Sequence, residues 1–300
     1  MSNWELVDTF PAFRRWWLGG RNLDVNRQMD SWRDDYLHPW PELFQKQVDA
    51  YASEGVSWRT VARRWIFPTL DQRVALMGVA HQGLRRAIPI AVRRCRDGLG
   101  LDFAVTCVIH VGIGCGAGWA TRFAGTPAVL FGLENAADLG WTDPTTVVAL
   151  VERELAHLLH DHLRRRSGQR GLEGHHGPCW QLYEEGFATR CELRLGEIGA
   201  HHSRGKRADW LPWCTSRREW LAARFLNVVH SPREVRRFFG SWYPLDGHIE
   251  TGYFLGSELI REWESTEPLD RIARWNEGRV RRRAESSLRR LAEGRSERAG

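Results

Sequence analysis

Between positions 151 and 161 the chain reads VERELAHLLHD, and its polar residues are spaced to meet on one side of a helix. Residues four apart on an α-helix lie about 40° from one another, so positions 153 and 157 share a face and 154 stands beside them. Two imidazoles at that spacing can bind one metal ion, and a carboxylate next to the first can take a proton from metal-bound water as it attacks a carbonyl. Here the carboxylate, Glu154, and the second imidazole, His157, are present, but the first position holds Arg153. A guanidinium keeps its proton and offers a metal no lone pair. A further ligand has to come from another segment. Glu184-Glu185-Gly186-Phe187-Ala188 supplies two carboxylates, followed by a glycine that permits close approach between helices.

The elements that must position these residues are legible in outline. Asp143 followed by Pro144 reads as an N-cap with proline at the first helical position, opening a helix to about residue 163. A glycine-rich loop over 164–178 leads to a second helix over 180–195. Upstream, the first hundred residues read as helical: 25–50, interrupted near Pro39 and Pro41, then 57–67, then 71–97, broken near Pro89. Trp32, Tyr36 and Leu43 fit one buried face. The period changes at Asp102, where 103–111 and 127–133 suit strands. Gly112, Gly114, Gly116 and Gly118 lie between them. They do not form a phosphate loop, because no lysine follows the glycines and residues 119–131 look extended rather than helical. Helices follow over 217–229, over 232–239 with the capping box Ser231 to Glu234, and over 252–264.

Residues 146–160 followed by 182–189 resemble the gluzincin layout of zinc-dependent proteases, HExxH and then EGxA. Phe131-Gly132-Leu133-Glu134 matches the Gly-x-Glu that ends a strand before the first helix of that layout, and Thr251-Gly-Tyr-Phe-Leu-Gly256 matches a later aromatic-glycine helix. The resemblance covers about residues 102–265. It implies an α+β fold, mostly helical and zincin-like, with a small β-sheet packed on the active-site helices. It also implies a zinc cofactor and a peptide or protein substrate. By the same resemblance His157 is the second histidine ligand, Glu154 the general base, and Glu185 the third ligand with Glu184 as its rival. Tyr253 or His248 would donate to the oxyanion. The sheet edge beside such a cleft can hold an extended peptide, and residues 127–133 are the segment nominated.

Arg153 leaves three outcomes open. A replacement ligand can come from His160, which projects within about 20° of Arg153 on the helical wheel, or from His175 or His176. Alternatively the chain is a catalytically inactive pseudo-peptidase, acting in binding or as a scaffold, in which the guanidinium neutralises Glu185 or Glu154 in place of a metal. Third, the two motifs are coincidental helix faces.

With 42% apolar residues and 16 tryptophans the chain can bury a large core. Residues 1–275 are expected as a single domain, a helical N-terminal region over 1–100 and a metallopeptidase-like core over 101–275. A basic C-terminal tail over 276–300 is expected to follow. Residues 271–300 hold ten arginines and four glutamates, a surplus equal to the whole net charge of +6, so the body is balanced. Nucleic acid is therefore expected only through that tail, at Arg281, Arg282, Arg283, Arg289 and Arg290, with solubilising charge as the simpler reading. No apolar run is long enough to span a bilayer and no basic-then-apolar leader opens the chain, which points to a cytoplasmic protein. Six cysteines without a CxxC pair read as reduced, mostly buried thiols.

Overall fold

The computed structural model describes residues 4–140, 143–172, 177–196, 209–240 and 244–294. The elements in order are β1 (Trp4–Asp8), α1 (Phe10–Gly20), α2 (Val25–Ser31), which continues into a π-helical turn (Trp32–Tyr36), α3 (Pro41–Ser53) and α4 (Trp58–Val61). After π and 3-10 turns come α5 (Leu70–Leu99), β2 (Val105–His110), β3 (Trp119–Phe123), β4 (Thr126–Gly132), α6 (Leu133–Asp138) and α7 (Pro144–Arg166). The rest is helical: α8 (Pro178–Leu195), α9 (Trp210–Ser216), α10 (Arg218–Val228), α11 (Pro232–Phe239), α12 (Thr251–Glu264), α13 (Leu269–Ile272) and α14 (Glu277–Ala292). The fold is α+β, with many helices and one small mixed sheet. Two compact units, Met1–Leu158 and Leu159–Gly300, divide inside α7.

The first unit is built on the sheet, in the order β1-β2-β4-β3. β1 and β4 flank β2 in parallel, and β3 closes on β4 as an antiparallel hairpin. Every residue of β2 is buried, as a central parallel strand rich in Val, Ile and Cys should be. Its cover includes α5, whose buried stripe includes Met77, Leu84, Ile88, Ala91 and Cys95. Trp32, Tyr36 and Leu43 are buried as the helical spacing implied, the two aromatics in a cluster with Phe13 and Trp17.

Three expectations need correction here. The N-terminal region is not wholly helical, because Trp4–Asp8 is a strand whose partner lies a hundred residues downstream. α5 runs unbroken through Pro89: burial of Ala87, Ile88, Ala91 and Val92 on both sides outweighs the roughly 3 kcal/mol that proline costs a helix interior. Finally, the segment nominated as a free sheet edge is an inner strand, β4, and the edge beside it is β3.

In the second unit α8 and α12 cross at two glycines. A Cβ on Gly186 would lie 2.4 Å from the carbonyl carbon of Gly256, and one on Gly256 would lie 2.4 Å from the Leu182 oxygen. Around this crossing Tyr183, Phe187, Phe225 and Trp263 form the core. The stretch expected as a basic tail is folded through α14, which buries Val280, Ala284 and Leu288. Several of its arginines are paired, Arg281 and Arg289 with Glu285, Arg290 with Glu262 and Arg279 with Glu267. Ser231 begins α11 through its carbonyl, which accepts the Glu234 amide at 3.1 Å, and not through the side-chain bond of a capping box. Among the described residues no helix is long and apolar enough to cross a membrane.

Candidate functional site

α7 starts where Asp143 accepts both the amide and the hydroxyl of Thr146 at 2.8 Å, with Pro144 in the first turn. From Val147 to His160 every residue is buried. A helix covered on all sides should be apolar throughout, yet this one carries Glu152, Arg153, Glu154 and His157 in its first-unit portion. Burying such groups is costly unless something meets them, which marks the stretch for function. Glu152 is met by Arg94 of α5 at 2.9 Å. The remaining three, Arg153, Glu154 and His157, are 4%, 7% and 8% exposed. Glu154 lies against Gly118: a Cβ there would sit 2.8 Å from its Cγ and 2.9 Å from its carboxyl carbon. Since Trp119 begins the edge strand β3, the expected general base stands at the head of the sheet edge. Trp119, Ala120 and Thr121 on that edge are half-buried.

The loop that delivers Gly118 is held from inside the unit. Glu134, fully buried at the start of α6, accepts the amides of Gly112 at 2.8 Å and Gly114 at 3.0 Å, one on each carboxylate oxygen. Burial pushes its pKa up, with the backbone donors opposing. Gln47 of α3 accepts the Ile113 amide at 2.9 Å, Tyr36 accepts the Val111 amide at 3.0 Å, and the Tyr51 hydroxyl donates to the Ile113 carbonyl at 2.7 Å. The glycines are required by contact. A Cβ on Gly112 would meet Gln47 Oε1 at 2.3 Å, and one on Gly132 would meet the Gly116 carbonyl oxygen at 2.4 Å. The amides of Val111 to Gly114 are thus taken by the protein's own side chains and not open to a phosphate. Next to it His110 is buried with no hydrogen bond on Nδ1, and burial lowers its pKa to about 4.

The other nominated residues belong to the second unit. Tyr183 donates its single proton to the Ile272 carbonyl at 2.7 Å, so at 2.9 Å its oxygen accepts from His160 Nε2–H. His160 also stacks on Phe187 with centroids 4.2 Å apart. That nitrogen is engaged in packing α7 residues on α8. Glu184 and Glu185 are half-buried on α8. His248 stacks on Trp213 with centroids 4.1 Å apart, and its Nε2 lies 3.6 Å from Asp209. Tyr253, in the first turn of α12, meets Phe239 edge-on. His175 and His176 lie outside the described residues.

No family model matches the chain. Searches of curated proteins and of solved structures likewise find no match. The zinc implied by the resemblance can therefore be judged only on the donors. Arg153 fills the first ligand position with a group that cannot ligate, and His160 Nε2 carries a proton held by Tyr183. Among the described residues no three His, Cys, Asp or Glu side chains converge closely enough to hold a metal ion. The described donors do not by themselves assemble a zinc site, and His175 and His176 lie outside them.

Sequence reasoning missed Gln47, Tyr51 and the part played by Glu134, although Glu134 stood within a quoted motif. It also missed Glu250, a buried acid before α12 held at φ 57°, where a non-glycine backbone is strained.

Proposed function

We propose that this chain is a metallopeptidase-like protein of zincin layout that binds an extended polypeptide along the β3 edge and does not hydrolyse it. One observation carries the reading: Glu154 sits at Gly118, where the edge strand begins, and the residue before it on the same buried helix is Arg153. The sheet edge offers backbone groups to a strand added from outside. Arg153 supplies a fixed positive charge where a related enzyme would hold its metal, and a guanidinium does not activate water. The test uses fluorescein-labelled casein. Anisotropy should report binding, hydrogen exchange should slow at residues 119–123, and the label should show no release of fragments over hours. Absence of binding, or protection elsewhere with none at β3, refutes the reading.

A second reading, metal-dependent peptide hydrolysis, is favoured by the retention of both Glu154 and His157 under cover. In it Glu154 is the base and His157 a zinc ligand. It requires about one zinc per purified chain and casein cleavage that both a chelator and Glu154→Gln abolish.

A further inference from the structure

We propose that Glu134 is the positioning residue of the peptide site: by holding the amides of Gly112 and Gly114 it fixes the loop that seats Gly118 on Glu154 and sets where the β3 edge begins. The inference rests on the reading of β3 as the peptide-binding edge and adds to it the residue on which the edge depends. Both carboxylate oxygens of Glu134 are used, one for each glycine amide. Gln47 and Tyr51 take the amide and carbonyl of Ile113 between them. Four successive amides, Val111 to Gly114, are thereby fixed by side chains from outside the loop. Gly114 and Gly116 lie at φ 89° and 144°, a backbone that glycine adopts freely and that does not hold itself in place. The far end of the loop is correspondingly tight, because Gly116 touches Gly132 and Gly118 touches Glu154. Loss of the anchor at one end therefore moves the contact at the other. Glu134 touches no substrate in this scheme and acts through the loop.

Glu134→Gln keeps the size of the side chain but leaves one carbonyl oxygen to serve two amide donors, with an NH2 group turned against the second. Amide exchange over residues 112–119 should rise about tenfold or more while α5 and β2 keep their protection, and casein affinity should fall about tenfold, the loss of one buried hydrogen bond. A double-mutant cycle separates positioning from plain stability. Gly118→Ala should weaken binding directly, and adding Glu134→Gln to it should weaken binding no further. Wild-type-like binding by Glu134→Gln, or losses that simply add, overturns the proposal. If Glu134→Gln lacks a folded circular-dichroism spectrum, Gln47→Leu frees the Ile113 amide instead and is read the same way. Failure of the peptide-edge reading itself has a different signature, since the wild type would then bind no casein.

Discussion

Gly186→Ala and Gly78→Ala are the same chemical change in two helix interiors, and the structure gives them opposite signs. Gly78, on α5, has nothing within 4 Å of where a Cβ would stand. The substitution there should gain about 1 kcal/mol through helix propensity and the lower entropy of the unfolded chain. At Gly186 the added Cβ would lie 2.4, 2.5 and 2.7 Å from three backbone atoms of Gly256. Carbon pairs rest at about 3.5 Å or more, so α8 and α12 must separate by about 1 Å, because backbone cannot rotate away as a side chain can. Overpacking of this kind costs about 1–3 kcal/mol, and a backbone obstacle places it at the upper end. After about 1 kcal/mol of propensity gain, a net loss of about 2 kcal/mol remains. For a unit of this size that should lower the melting temperature by about 4–8 °C. Thermal unfolding by circular dichroism measures the shift, and hydrogen exchange should place the loss in α8 and α12. Gly256→Ala should behave alike, and the double variant should cost less than the sum, since both relieve one contact. A Gly186→Ala protein as stable as Gly78→Ala would refute the close crossing.

Arg153→His restores the pair of imidazoles on one turn of α7, and the variant should take up zinc in equilibrium dialysis while the wild type does not. Zinc-free Arg153→His would remove the link to a metal site. His110 gives a pH signature. Burial lowers its pKa from 6.5 to about 4, so the unfolded chain binds the proton first, and stability present above pH 6.5 should decline as pH falls toward 4. The loss should reach about 3 kcal/mol. His110→Leu should flatten that slope in urea titrations at pH 7 and pH 4.5, and an unchanged slope would show that His110 is not its source. Arg164, fully buried, donates to the carbonyls of Arg170 at 3.0 Å and Trp275 at 2.6 Å and lies over the Trp180 ring at 4.5 Å. Arg164→Lys, lacking the planar fork, should destabilise by about 2–4 kcal/mol; thermal unfolding within 2 °C of wild type would contradict this.

What could be read in advance was whatever repeats within a few residues. The period of four placed Arg153, Glu154 and His157 on one helix, Asp143-Pro144 marked its start, and the glycine of EEGFA proved to be a crossing point. What could not be read was set by partners far apart in the chain. β1 has five residues and no flanking turn signal, and it is a strand only because β2 pairs with it across a hundred positions. The choice between β3 and β4 as the edge depends on which of them β2 selects, and both carry strand-forming residues. The loop shows the same limit in its chemistry. Its glycines are conspicuous in the sequence, whereas the residues that bind its amides, Tyr36, Gln47 and Glu134, are ordinary in type and distant in position.

Arg153 gains meaning from that distant support. Covering charged groups is costly without a role for them. Glu154 and His157 are nonetheless covered, and a loop pinned by four amide hydrogen bonds brings Gly118 against Glu154. Glycine is required there only so long as Glu154 occupies that space. That fit ties Gly118 to Glu154, and the proposed use of the β3 edge rests on this contact.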